Sequence, residues 1–530
     1  MTQVKKPLPH RALGDFQTPP SLAKQIVEYV FGQNRKWSRI LEPTCGMGNF
    51  IDAVYAASTD IDEVVGIEIQ SSYLDMLRAR FPADEYVNLR LLHEDLFSLD
   101  LKTDIRWMSD GDLLILGNPP WVTNAAQGSL KSANLPKKTN LKKLQGLEAV
   151  TGAANFDICE AIILKMLREL SGVRLTLAML CKTSVARNVI SYAHQIKIPI
   201  TSAKIIAVNA KRYFDAAVDA CLLYIDVNES ASTHYFADIY SDFDRSEPIQ
   251  RMGIVDNILV SNVDSFAQIS HAIKPSPFEW RQGIKHDAAG VMELSQIDSG
   301  TWLNKSGEIV DVEDDYIFPL LKSSDLQKQN PHELKRGVII TQHFVGEDTT
   351  TLEKNAPKLW NYLQANRTVF DQRKSSIYRG KPSFSIFGIG DYSFAPYKIM
   401  VSGLYKTPRF RLIPPLSEKP VLCDDTCYLL PFYSLEQAAV TTALFNHRLT
   451  KQLLSTLIFP DSKRPITKTV LSKIDVTALL PYISEAELYQ LALKELANVN
   501  SQAQLPHRHD ELCQLVNSNA PTQPFNLQLL

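Results

Sequence analysis

Cysteine is scarce in this chain. Seven are scattered through 530 residues (Cys45, Cys159, Cys181, Cys221, Cys423, Cys427 and Cys513). Their number is odd and their spacing gives no disulfide framework, so a reduced, cytoplasmic setting is expected. Only Cys423 and Cys427 lie close together, and no second pair completes a zinc site, so no metal is expected. Long apolar runs are missing as well. No stretch of about 18 apolar residues occurs, so no transmembrane helix and no membrane partner is expected. Met1 to Arg11 is polar and basic and lacks an apolar h-region, so no secretory signal is visible. Internal repeats are absent. A strong net charge is absent too. Lys and Arg number 56 against 58 Asp and Glu, a formal net charge of -2, which argues weakly against a protein that coats nucleic acid.

What is present suits globular domains. Hydrophobic residues make up 45% of the chain, enough for sizeable cores. At about 100–200 residues per domain the length suggests two to four domains. The balanced charge hides an asymmetry. Residues 331–470 hold 19 Lys and Arg against 11 Asp and Glu, an excess of eight, which leaves the remainder at -10. A basic block in an acidic chain is either an electrostatic footprint for nucleic acid or a solvated basic face.

The first 230 residues alternate short apolar runs with amphipathic stretches. Strands are predicted at Ser38–Leu41, Val64–Ile69, Leu89–Leu92, Leu113–Leu116, Leu175–Leu180 and Ala220–Val227. Helices are predicted at Ser21–Phe31, Ser71–Arg80 and Phe156–Leu170. This alternation predicts a doubly wound, Rossmann-like α/β domain over 1–230. Residues 231–247 read as a polar linker. From 248 to 480 the segments become shorter and aromatic-rich, as at Phe384–Phe387 and Tyr397–Val401, and predict an α+β domain. Residues 481–530 read as a helix at Ser484–Asn498, capped by Ser484 with Glu487 three residues on, followed by a partly ordered polar tail from Gln502.

Doubly wound sheets bind ligands at the carboxyl ends of their strands, and four special segments fall there. Leu41-Glu42-Pro43-Thr44-Cys45-Gly46-Met47-Gly48-Asn49-Phe50 joins a strand to a helix through two glycines, which let backbone approach a ligand closely. An ordinary strand-to-helix turn has the same look. Glu68 ends the next strand, where an acid can accept both hydroxyls of a ribose or simply face solvent. In Glu94-Asp95-Leu96-Phe97, Asp95 can accept from an exocyclic amine beside an apolar cover, or cap a helix. Asn118-Pro119-Pro120-Trp121 is the sharpest. Its prolines fix a rigid loop, the Asn118 side-chain oxygen and the Pro119 carbonyl can both accept from one NH2 group, and Trp121 offers a flat stacking face.

In this order, and with Phe16-Gln17-Thr18-Pro19 ahead of them, the segments resemble the motif series of S-adenosylmethionine-dependent DNA amino-methyltransferases. The match is to the gamma class, mostly adenine-N6 enzymes of restriction–modification systems. The resemblance extends through Asn155-Phe156-Asp157, Met179–Lys182 and Arg212-Tyr213-Phe214, and less specifically through Arg373-Lys374-Ser375-Ser376-Ile377-Tyr378, Phe387-Gly388-Ile389-Gly390, Asp424-Asp425-Thr426-Cys427-Tyr428 and Asp461–Thr467. Glu42 stands where other classes carry Asp, and Trp121 where Tyr is usual. The resemblance implies S-adenosylmethionine as cofactor, bordered by Thr18, Glu42, Gly46, Gly48, Glu68, Asp95 and Leu96. It implies Asn118, Pro119, Pro120 and Trp121 as the catalytic loop, and Trp121 with Phe214 as a sandwich for a flipped base. The partner is double-stranded DNA, read by 248–480, with Arg373, Lys374, Arg379, Arg409, Arg411, Lys463 and Arg464 as candidate contacts. A restriction endonuclease, if there is one, is expected to be separately encoded, since Asp461-Ser462-Lys463 imitates a metal nuclease motif without an acidic partner upstream. The Phe16 motif starts almost at once, without the helical domain of type I subunits, so a self-sufficient enzyme is expected. Alternatives are a cytosine-N4 enzyme, which more often carries Ser in place of Asn118, a protein glutamine methyltransferase, and a DNA-binding module with a dead cofactor fold.

Overall fold

The computed structural model describes residues 17–121, 157–298, 300–328, 335–499, 501–506 and 508–517. Phe16, Asn155 and Phe156 of the quoted motifs lie outside them. The chain divides into two compact units, Met1–Asp264 and Ser265–Leu530.

Unit one is built on a ten-stranded sheet. Its first strands are β1 (Arg39–Glu42), β2 (Glu63–Glu68), β3 (Leu89–His93), β4 (Leu113–Gly117) and β5 (Leu175–Lys182). They are followed by β6 (Ile200–Val208), β7 (Ala220–Val227), β8 (Phe236–Tyr240), β9 (Gln250–Val255) and β10 (Ile258–Val260). The order is β10-β9-β8-β6-β7-β5-β4-β1-β2-β3. From β5 to β3 every neighbour runs parallel, whereas β7 lies antiparallel between β5 and β6. β2 and β4 are buried along their whole length, as parallel strands covered on both faces must be, and this is why Val64–Ile67 and Leu113–Leu116 read as apolar runs. Helix α1 (Pro20–Phe31) starts on a proline and buries Leu22, Ala23, Ile26, Val27 and Val30 along one stripe. Helix α2 (Asn49–Ala57) follows the glycine loop, and α3 (Ser71–Arg80) follows β2.

The predicted linker at 231–247 is not one. It contains β8, which pairs parallel to β6 and antiparallel to β9, so the sheet runs on to Val260 and the division falls after Asp264. Only Ala237 of β8 is buried; the strand lies towards the edge of the sheet and carries polar residues, which removes the apolar run that marks the inner strands.

Unit two holds two smaller sheets. The six-stranded one has the order β14-β13-β12-β16-β15-β19, from β12 (Glu293–Asp298), β13 (Thr301–Leu303), β14 (Ile309–Val310), β15 (Ile317–Leu321), β16 (Arg336–Ile339) and β19 (Leu422–Cys423). The four-stranded one has the order β11-β20-β17-β18, from β11 (Arg281–Gln282), β17 (Tyr397–Ser402), β18 (Arg411–Ile413) and β20 (Cys427–Phe432). Phe384–Phe387 is not a strand. Phe384 sits in a turn at φ +62 and is buried; its ring packs edge-on against Phe370 and Trp360, at 5.0 and 5.6 Å. These aromatics fill the core from a turn, where the sequence suggested pairing in a sheet. Near the end, the helix Glu485–Ala497 is capped by Ser484, whose Oγ accepts from the Glu487 amide at 3.3 Å. The polar tail forms a further helix at His509–Asn517, which buries Leu512 and Val516 one turn apart.

Candidate active site at the strand ends

The chain runs from β1 outward to β2 and β3, then lays β4 on the other side of β1. That reversal is a topological switch point, the place where doubly wound sheets open a crevice at the strand ends. Glu42 ends β1 and Gly117-Asn118 ends β4, so the two sharpest segments flank the crevice. Gly117 has φ +153, and a Cβ there would touch the Glu42 Cγ at 3.6 Å.

The glycine loop is shaped by its backbone. Gly46 and Gly48 hold φ +51 and +77, and a Cβ on Gly48 would come within 2.3 Å of Leu77 Cδ2. The loop is tied down from three sides. Gly46 N–H donates to Glu68 Oε2 at 2.9 Å. Met47 N–H donates to Gln17 Oε1 at 3.1 Å. Asn49 Nδ2 donates to the Thr18 carbonyl at 2.8 Å. Arg80, at the end of α3, donates to the Met47 carbonyl at 3.0 Å and pairs with Asp52. Sequence reasoning misses Gln17 and Arg80 as site residues. Gln17 stands in the Phe16-Gln17-Thr18-Pro19 motif, but nothing local marks Arg80.

Glu68 already accepts twice, from Gly46 and from Gln70 N–H at 2.8 Å, so it organises the loop as well as facing the crevice. Glu42 differs. It is buried, and its Oε2 has no hydrogen-bond partner among the described residues; the Thr44 hydroxyl beside it is likewise buried and unpartnered. Burial, reinforced by the Glu68 charge, pushes the Glu42 carboxyl well above the ordinary carboxylate range. A buried carboxylate oxygen without a donor is costly. A cationic group placed against it removes that cost, so this donor set fits a sulfonium or ammonium ligand. Asp95 is exposed. Its Oδ1 accepts from Phe97 N–H at 2.9 Å and forms a turn; no helix follows, so the helix cap expected as its alternative is not what the structure has. Leu96 beside it is buried.

Asn118 is half-buried, and Pro119 and Trp121 are buried. The expected Trp121–Phe214 sandwich is not open. The two rings meet edge to face with centroids 5.2 Å apart, which leaves no slot for a third ring between parallel faces. Lys182 at the end of β5 donates to the Trp121 carbonyl at 3.5 Å and pairs with Asp157 at 2.6 Å. Asp157 also caps the helix Ile158–Leu170. This links the Asn118-Pro119-Pro120-Trp121 segment to two motifs to which the sequence assigns no role. The amino ends of the same strands carry a different network, in which Arg35 pairs with Asp112 at 3.1 Å and with Asp226.

In unit two the candidate contacts divide. Arg373 donates to the carbonyls of Phe370, His286 and Ser385. Arg409 donates to Gln327, Arg411 to Leu326 and Lys328, and Arg464 to Asp425, again through backbone carbonyls. Arg373, Arg411 and Arg464 are half-buried and hold the fold of the unit, whereas Arg409 remains exposed. Lys374, Arg379 and Lys463 are exposed. Asp461-Ser462-Lys463 lies in turns, off any strand. Among the described residues no helix is long and apolar enough to cross a membrane.

No family model matches the chain. It is 41% identical over 473 residues to the type II methyltransferase M.NspV of Nostoc sp., a match that covers 89% of this chain and 97% of that relative. Among solved structures, the type IIL restriction-modification enzyme MmeI in complex with DNA superposes with a TM-score of 0.54 at 14% identity, over 96% of this chain and 73% of that one. At that identity the likeness speaks to the fold alone.

Proposed function

The chain belongs to the type II methyltransferases, and from that premise we propose that it is a site-specific DNA methyltransferase acting on N6 of adenine, the modification enzyme of a restriction–modification system. The observation that carries this reading is the position of Asn118-Pro119-Pro120-Trp121 at the end of β4, across the switch point from the buried Glu42 carboxyl with its unpartnered Oε2. Unit one is the catalytic unit and unit two reads the target.

S-adenosylmethionine supplies an electrophilic methyl group on a sulfonium sulfur. Glu42 faces the positive end of the cofactor, Thr18, Gly46 and Gly48 border its methionine part, Glu68 holds the ribose, and Asp95 accepts from the adenine amine with Leu96 as apolar cover. The N6 lone pair of the target adenine is delocalised into its ring, so the free amine is a poor nucleophile. Asn118 Oδ1 and the Pro119 carbonyl accept its two N–H bonds, draw the nitrogen towards tetrahedral geometry and aim its lone pair. Pro119 and Pro120 keep those acceptors fixed, so positioning and preorganised dipoles supply the acceleration. The target base leaves the duplex to reach the loop. Trp121 and Phe214 part from their edge-to-face contact to admit it. Lys182, held by Asp157, anchors the Trp121 carbonyl while they do so.

The test is to incubate the protein with duplex DNA and methyl-labelled S-adenosylmethionine, digest to nucleosides and separate them by mass. Label in N6-methyldeoxyadenosine is expected. Label in N4-methyldeoxycytidine, or in a glutamine-containing peptide but not in DNA, overturns the assignment.

A further inference from the structure

Unit two carries a pocket that lies outside the strand-end site. Its volume is about 250 Å3, and Arg367, Phe370, Arg373, Tyr378, Arg379 and Lys381 line it. Asp371 lines it too and faces Arg367 at 3.7 Å, and Asp287 lies close enough behind it to act on Arg373 and Tyr378, so four cations meet two carboxylates. Gathering an excess of two positive charges around one cavity costs free energy unless an anion enters.

The pocket is built rather than incidental. Arg373 is held by three backbone carbonyls, among them that of Ser385 at 2.6 Å. Its guanidinium lies 3.7 Å from the centre of the Tyr378 ring, which fixes that ring as a wall. The far wall is laced to the neighbouring loop: Thr349 donates to the Ser383 carbonyl, and Ile386 N–H donates to Gln342 Oε1 at 2.7 Å. Against this fixed frame Arg379 and Lys381 are exposed, and neither side chain has a hydrogen bond or ion pair among the described residues. Two uncommitted cations on a rigid rim, beside one that is fully committed, is a division of labour.

We propose that this pocket takes a phosphodiester of the DNA backbone, a proposal that rests on the reading of the chain as a DNA methyltransferase. Arg379 and Lys381 donate to the phosphate oxygens, Arg367 flanks them, and Arg373 is a positioning residue that touches no nucleotide. The contact carries no sequence information and sets the register of unit two on the duplex. Arg367 and Lys381 thereby join the interface, and Arg373 leaves it.

The experiment uses the full chain, several duplexes of unrelated sequence, and the double variant R379Q/K381Q. Affinity is measured against salt concentration; unchanged melting temperature and S-adenosylmethionine affinity certify the fold. Each neutralised phosphate contributes about -0.9 to the slope of log affinity against log salt. The variant is expected to bind every duplex more weakly by the same factor, with a slope shallower by about one. A wild-type protein that binds duplexes beside a variant with unaltered affinity and slope overturns the pocket and leaves the enzymatic reading standing. Weakening confined to one sequence overturns the phosphate assignment in favour of a base contact. A wild-type protein that binds no duplex at low salt overturns the DNA reading and the pocket with it.

Discussion

Replacing Glu42 by Gln probes the crevice most directly, because it keeps the shape of the side chain and removes only its charge. The Glu42 carboxyl is buried, has an unpartnered Oε2, and lies close enough to Glu68 to feel its charge. Two effects of opposite sign follow. Without ligand the variant loses a buried carboxyl that burial and the Glu68 charge force to hold a proton, so its melting temperature at neutral pH is expected to equal or exceed that of the wild type. With S-adenosylmethionine it loses an ionic contact, which costs about 1.5–3 kcal/mol and corresponds to roughly 10- to 150-fold in affinity. The pH dependence gives a third readout. A carboxyl raised on folding keeps its proton where the unfolded chain has already released it. The stability of the ligand-free protein therefore falls as pH rises from the ordinary carboxyl range through the raised value. A cationic ligand needs the ionised form, so affinity is expected to climb with pH across the same window and binding to release a proton. Calorimetric titration in buffers of different ionisation enthalpy measures both. The Glu42→Gln variant is expected to show a flat profile. Wild-type affinity with the wild-type pH profile in the variant would falsify the assignment of Glu42 to the cationic end of the cofactor.

Asn118→Ala is expected to leave cofactor affinity intact and to lower turnover by at least about 100-fold, the usual cost of one positioned transition-state contact; single-turnover methylation of duplex DNA checks it. Asp95→Ala is expected to weaken the cofactor by about 5- to 150-fold through one lost contact to a charged acceptor, with little change in melting temperature. Glu68→Ala should weaken it at least as much and also lower the melting temperature, since Gly46 and Gln70 lose their acceptor. Equal melting temperatures in the two variants refute that distinction. Lys398 is buried, donates to the Ala395 carbonyl at 2.6 Å, and is pushed down by burial to about 7. The folded chain then binds fewer protons than the unfolded one between pH about 7 and the ordinary lysine value near 10.4, so stability rises with pH across that window. Lys398→Met is expected to abolish the rise and to increase the melting temperature at pH 7, read from melts between pH 6 and 10. Exchanging unit two, from Ser265 onward, for that of a relative with another target is expected to move methylation to the relative's site. A chimera that keeps the original site places recognition in unit one.

The inner sheet of unit one is legible in the sequence because its physics is local. Strands covered on both faces become apolar runs, and the runs of β1, β2 and β4 stop at Glu42, Glu68 and Asn118. The edge strand β3 is only partly buried but still reads as a run at Leu89–Leu92, whereas β8, partly buried and carrying polar residues, reads as a linker. The helix at His509–Asn517 hides behind its exposed face, since only Leu512 and Val516 are buried there among polar neighbours. Phe384 shows a different failure, because an aromatic run says that rings are buried and not whether they arrive from a strand or a turn. The charge block is the most instructive case. Short, irregular strands leave many carbonyls without a ladder partner, and buried acceptors require donors. Arg373, Arg411 and Arg464, all half-buried, meet that need from within the fold, and in sequence the three are indistinguishable from cations that face solvent; Arg409 also donates to a carbonyl but stays exposed. The excess of eight positive charges in residues 331–470 therefore overstates what unit two can offer a polyanion. The cations left to meet one are those that the backbone does not consume, Arg367, Lys374, Arg379, Lys381 and Lys463 among them, and three of these five lie around a single pocket.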